Sequence, residues 1–500
     1  MRNLLVFLSV LFSALPAAAA TLEKGALDRL FDHVGLPDRL PASVQTRAVP
    51  ARELDPQAAR LLEAAASLQK DPVWPGFKIL AQPILLYKVG ESTLLIGHPS
   101  PPAGYKAVSS SRVTVFEKPG AFDLDGPFDY HRALNGSDTF AYRVDPGQDA
   151  LETARIVTHE RFHVYQEKAF GPYRHGEPSL SVNAKTIALA ALEQRALSKA
   201  LLADTAEDLR SYARTFVAIR ESRYAEDADC LRVVEESEER LEGMARYVDS
   251  RTMQRLATPA HLWTFRNLTE RLEMLPDQER LLKWRLYETG AGQGFLLDAG
   301  PLAARWKTKV AAGTPVFEMM RQAYPLEEAD RARLLGEAQA ALGYAGLLRA
   351  AETKVRETAA AREAAVRAFA EAPGPELSVP VPWTQDNSIA VSFSNGGPAF
   401  HIDDHTELFT KMGVFEAKGP GFLMRVQDRA MMSGMNMERF HAGKDLRILL
   451  DGRPAPSGDG TFRFRAVSIT EPGLEIRADR IGTLTVKGRQ FSISWAPWEE

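Results

Sequence analysis

The stretch VTHERFHVYQE, residues 157–167, sets His159 and His163 four apart with Glu160 directly after the first. On a helix, residues i and i+4 lie one turn apart on one face, so both imidazoles can reach one ion about 2 Å away, the usual zinc–nitrogen length. Glu160 falls about 100° around that helix, off the ion but beside a water the ion would hold, from which it could take a proton. With ten histidines in 500 residues, chance would produce this pattern on the order of 0.02 times in a chain of this size. A catalytic zinc also needs a third protein ligand and one position left open for water. Two glutamates on later helical stretches are candidates. Glu193, in IALAALEQRALSKAL, sits among alanines small enough to let two helices pack closely, and Glu242 lies in EERLEGMARYVD.

The pattern is that of the H-E-x-x-H zincins, a class-level resemblance that covers about residues 149–250. One departure is Arg161, where such motifs usually carry an uncharged residue. The metzincin solution, a Gly and a His just beyond the motif, is absent: Gln166 and Ala169 occupy those places. Glu242-Gly243-Met244-Ala245-Arg246-Tyr247 resembles the NEGFA..Y helix of aminopeptidase N-type gluzincins, whose glutamate is the third zinc ligand, except that Leu241 precedes it. Gly243 and Ala245 would then allow close backbone approach to the zinc helix. The spacing departs from that family, because Glu242 follows His163 by 79 residues, which calls for two inserted helices.

The resemblance implies a gluzincin-type metallopeptidase with one catalytic Zn2+, a peptide or protein substrate, and Glu160 as general base on a zinc-bound water. A neutral phenol can supply the oxyanion donor, and Tyr287, ahead of the glycine-rich run TGAGQG, is the first candidate; His175 is the second. The alternative is a catalytically degenerate zincin-like protein kept for binding or envelope assembly.

The elements that must position these residues are readable around them. Asp149 is an N-cap candidate for a helix without Gly or Pro that carries the motif, with a stripe of Leu151, Ala154, Val157 and Phe162. Before it, helical spacing gives way to short alternating runs separated by turn signals, a small mixed α/β lobe over residues 21–148. Its last run, DTFAYRVD, reads either as an edge strand able to hold an extended peptide by β-addition or as a plain strand of this lobe. Helical stretches then dominate residues 149–372, the PGPELSVPVP stretch 373–382 reads as a linker, and residues 383–500 as a β domain. The expected fold class is α+β: a mixed N-terminal lobe, a large helical zincin-like lobe and a C-terminal β-rich domain.

Residues 1–20 have the charged, apolar and small-residue order of a signal peptide, with the mature chain starting near Thr21, so the protein is expected to be exported, periplasmic or secreted. No later stretch is apolar for long enough to span a membrane. The single cysteine, Cys230, excludes an intramolecular disulfide, and a net charge of -4 gives no electrostatic reason to bind nucleic acid. No phosphate-binding loop, dinucleotide fingerprint or G-x-S-x-G elbow occurs. The cluster of Met431, Met432, Met435 and Met437 near His441 suits a core or lid better than a Cu(I) site, and His401 and His405 in HIDDH belong to a turn.

Overall fold

The computed structural model describes residues 54–496 except 111–112, 125, 174–182, 227–229, 257–262, 277–279, 383–388, 404 and 435–436. The expected signal peptide, His175 and Met435 lie outside the described residues. The chain is mixed α/β and divides into two compact units, one over residues 19–355 and the other over residues 356–500. No helix among the described residues is long and apolar enough to cross a membrane.

In the first unit, helix α1 (Pro56–Lys70) precedes strands β1 (Ile84–Lys88), β2 (Ser92–Ile96), β3 (Lys106–Ser110), β4 (Thr114–Pro119), β5 (Phe128–Leu134) and β6 (Ser137–Val144). They form one sheet in the order β3-β4-β2-β1-β6-β5, with β1 and β6 parallel and the other pairs antiparallel. The run DTFAYRVD is therefore an interior strand. Its apolar residues Phe140 and Ala141 are fully buried, and β5, half-buried and polar, takes the edge instead.

Helix α2 (Ala150–Ala169) follows after a short turn and carries the motif. Asp149 caps it, its carboxylate accepting from the amides of Leu151 at 2.8 Å and Glu152 at 3.2 Å. Nearly every side chain from Thr153 to Gln166 is buried, so this is an interior helix rather than a surface one with a single apolar stripe. Phe162 packs between Trp74 and Phe77, with ring centroids 5.3 and 5.2 Å away. Arg161 is buried on the opposite side from the histidines' partners. It donates to the Ile79 carbonyl at 3.0 Å and to Gln82, and lies over the Phe140 ring. The unusual cation in the motif thus ties α2 to the chain entering the sheet.

The remaining helices of this unit are α3 (Ala184–Leu201), α4 (Ala206–Glu226), α5 (Cys230–Glu238), α6 (Met244–Leu256), α7 (Trp263–Leu272), α8 (Arg285–Ala299), α9 (Trp306–Ala311), α10 (Val316–Ala323) and α11 (Glu328–Ala341). A π-turn at Glu239–Gly243 joins α5 to α6, and another at Arg280–Trp284 leads into α8. One apolar core runs from Ala58 through the sheet and α2 to Ala351, so the mixed and helical parts share a single interior. Helix α12 (Tyr344–Ala370) spans the division between the units.

The second unit has its own core around a sheet with long strands Thr406–Gly419 and Phe422–Gly434. The proline-rich stretch expected as a linker contains a strand of this sheet, Glu376–Pro380, paired with Met437–His441 and Gln490–Trp495. Leu377 and Val379 alternate into the core, while the prolines stand at the strand's ends, where no ladder N–H is lost. Met431 is a core residue and Met432 packs with Phe369 and Leu408. His401 is exposed and pairs with Glu407.

Candidate functional site

His159 and His163 project from α2 toward the π-turn, where Glu242 meets both. Glu242 Oε2 lies 3.3 Å from His159 Nε2 and 3.2 Å from His163 Nε2. All three residues are buried, and one donor atom from each falls within 4.8 Å of the others. Two helices, α3 and α4, stand between α2 and the α5–α6 rod that carries Glu242, which accounts for the long spacing. Glu193 is elsewhere. Its carboxylate is held by Arg220 at 2.5 Å, Arg223 at 2.7 Å and Arg285 at 3.4 Å, in a fully buried cluster that also contains Glu235 and Glu239. Burial opposes its charge, but the three guanidinium groups outweigh that and hold it down at about 2. It is not positioned to join the histidines.

The imidazoles are oriented by their other nitrogens. His159 Nδ1 donates to Asp249 Oδ2 at 3.1 Å, and Asp249 is in turn anchored by Arg155 at 3.1 Å and Arg246 at 3.3 Å. His163 Nδ1 donates to Gln166 Oε1 at 2.7 Å. The Gln166 amide nitrogen donates to the carbonyls of Arg240 and Leu241, which fixes the side chain with its oxygen toward His163. With both Nδ1 atoms acting as donors, both Nε2 atoms are turned toward Glu242. This is the arrangement metal-binding histidines adopt.

In a tetrahedral site with bonds near 2.05 Å, neighbouring ligand atoms stand about 3.3 Å apart. The two Nε2–Oε2 separations stand near that value, which an imidazolium–carboxylate hydrogen bond also gives. Without a metal the three groups form an ion-paired cluster. Burial opposes charge on His159, but hydrogen bonds to Asp249 and Glu242 raise it to about 9; His163 is raised against burial by the same Glu242 carboxylate. Glu242 itself is held well below the carboxylate range, because the two imidazolium charges outweigh its burial. A bound cation would displace those protons.

Around this group stand the side chains that could act on a substrate. Glu160 is buried and its Oε2 accepts a 2.5 Å hydrogen bond from the Tyr130 hydroxyl. Tyr287 stacks on His159 with centroids 5.9 Å apart and planes 3° from parallel. Its hydroxyl is buried beside the Glu242 carboxylate. Burial, and then the Glu242 carboxylate, push this phenol well above its ordinary range, so it stays a neutral donor.

The glycine-rich run of α8 does not face the candidate ligands His159, His163 and Glu242 as a whole. Gly290 meets the π-turn, Gly292 meets Leu197 of α3, and Gly294 meets the Tyr247 ring. Gly243 was expected to admit the motif helix; instead a Cβ there would lie 2.6 Å from Gly290 Cα of α8. Three neighbours of the candidate site were given no role in the sequence reading. Gln166 follows His163 at a helical i+3 and Asp249 follows Glu242 by two turns, so both carried a spacing signal. Tyr130, on another element, carried none.

Comparison with protein-family models, with characterised proteins and with solved structures gives no match.

Proposed function

We propose that the protein is an exported zinc-dependent hydrolase, most specifically a metallopeptidase with Glu160 as its general base. The observation that carries this reading is the convergence of His159 Nε2, His163 Nε2 and Glu242 Oε2, with both Nδ1 atoms tied to acceptors and Glu160 beside them. These three residues would hold the zinc, which when bound supplies Lewis acidity toward a carbonyl and acidifies water. Glu160 accepts the proton of the attacking water and passes it to the leaving amine. Tyr287, whose ring stacks on His159, donates its hydroxyl to the developing oxyanion. The edge strand β5, which carries Tyr130, offers main-chain groups to an extended peptide. The leader-like residues 1–20 support export.

A second reading, a zincin-like binding or assembly protein, is favoured by one observation: His159, Glu160, His163 and Glu242 are each no more than 6% exposed. Turnover of a peptide library by the zinc-loaded protein, followed by mass spectrometry, separates the two. The peptidase reading expects cleavage that Glu160→Gln reduces at least about 100-fold. Equal cleavage, or none, by wild type and Glu160→Gln would leave the second reading standing.

A further inference from the structure

The edge strand does more than border the sheet. Its pairing with β6 slips between Asp129, opposite Ala141, and Arg132, opposite Thr139, so Tyr130 and His131 together face the single residue Phe140. This is a β-bulge, a device that re-aims side chains. Both bulge residues are turned onto the motif helix. The Tyr130 hydroxyl donates to Glu160 Oε2 at 2.5 Å, and His131 Nε2 lies 3.2 Å from Glu167 Oε2, one turn beyond His163. The Tyr130 carbonyl accepts from Gln82 Nε2 at 3.1 Å, and Gln82 is held by Arg161 of the motif itself. The bulge is thus clamped to α2 at three points, with the hydroxyl of Tyr130 at the only one that touches Glu160.

We infer that Tyr130 is a positioning residue for the general base: its hydroxyl holds one oxygen of Glu160 so that the other is presented to the attacking water. A short glutamate side chain beside a cation would otherwise turn toward the metal or toward bulk water. A hydrogen bond to a charged acceptor is strong enough to select one orientation. The phenol is suited to the task because it is stiff. Its ring packs between Phe128 and Phe140, with centroids 6.2 and 5.9 Å away, so the hydroxyl is delivered from a fixed wall. This role rests on the hydrolase reading and assigns Tyr130 and Tyr287 different work, one on the base and one on the substrate.

The test uses the full-length zinc-loaded protein and the variant Tyr130→Phe, which keeps the ring packing and removes only the hydroxyl. The expected result is a fall in kcat of about 10- to 100-fold with KM and zinc content unchanged. Tyr142→Phe, which removes a hydroxyl bonded to Gln148 on the neighbouring strand, is expected to leave all three unchanged. A second readout needs no turnover: a short hydroxyl–carboxylate bond gives a downfield, slowly exchanging proton resonance, absent in Tyr130→Phe and displaced in Glu160→Gln. Wild-type turnover that depends on Glu160, combined with a Tyr130→Phe kcat within twofold of wild type, overturns this role alone. Absence of any Glu160-dependent turnover overturns the hydrolase reading and this role with it.

Discussion

The crossing of the π-turn and α8 offers a perturbation whose size can be worked out in advance. At Gly243 an added Cβ would lie 2.6 Å from Gly290 Cα and 2.9 Å from the Leu286 carbonyl, both backbone atoms that no rotamer change can move. Ordinary contact begins near 3.4 Å, so the two segments would have to part by 3.4 minus 2.6, about 0.8 Å. Glu242 is the preceding residue and must move with its backbone, whereas metal–ligand distances tolerate only about 0.2 Å. Gly243→Ala should therefore cost about 1–3 kcal/mol of stability in the metal-free protein. It should also weaken zinc binding roughly 10- to 100-fold, the range seen when a ligand's support is disturbed. Urea unfolding in the presence of a chelator reads the first quantity, and competition with a chromophoric chelator reads the second. Gly336→Ala is the control: that glycine is exposed on α11, a Cβ there meets nothing, and the change should stabilise by about 0.5–1 kcal/mol without altering zinc affinity. Zinc affinity within twofold of wild type in Gly243→Ala would refute the claim that this helix contact sets the position of Glu242.

Other perturbations separate the parts of the account. Asp249→Asn removes the carboxylate that orients His159 and should lower zinc affinity about 10- to 100-fold while leaving the fold intact by circular dichroism; unchanged affinity would show that the orientation is set elsewhere. Arg220→Met takes from Glu193 one of its three guanidinium partners and from Glu239 its ion pair, in a fully buried setting, and should destabilise by about 3–5 kcal/mol in denaturant titration, a loss below about 1 kcal/mol counting against a tightly coupled cluster. In the second unit, burial pushes Glu438 up to about 7 from 4.5, against a weaker opposing bond from Ser433. The folded state then binds more protons than the unfolded one between those values, so its stabilising effect is full below about pH 4.5 and lost as pH rises through about 7. The difference is about 3 kcal/mol, and Glu438→Gln should flatten that part of the stability–pH curve; a curve with the wild-type slope would assign the dependence to another group.

Much of the site was legible because its chemistry is local. The i, i+4 histidines, the adjacent glutamate and the Asp149 cap lie within one helix, and helix geometry alone relates them. The third corner was open between Glu193 and Glu242 because both stand on alanine-rich or glycine-containing helices. What separates them is three arginines, two on α4 and one on α8, that converge on Glu193 through tertiary packing. The place of DTFAYRVD in the sheet was open for a similar reason. DTFAYRVD and the preceding FDYHRAL are both strand-like, and only the parallel pairing of β6 with β1 shows which of the two is enclosed. The proline-rich stretch misled through composition: its prolines flank a strand, and the buried pair Leu377 and Val379 carried the better signal. Gly243 shows the limit most clearly, since a glycine announces a close approach without naming the partner.

The central claim is that His159, His163 and Glu242 hold one metal ion, and elemental analysis of the purified full-length protein tests it most directly. The expected result is close to one zinc per chain in the wild type and in Glu160→Gln, with loss of the metal in the His159→Ala, His163→Ala double variant and in Glu242→Ala. A metal-free wild type, or zinc content unchanged in those variants, would contradict it.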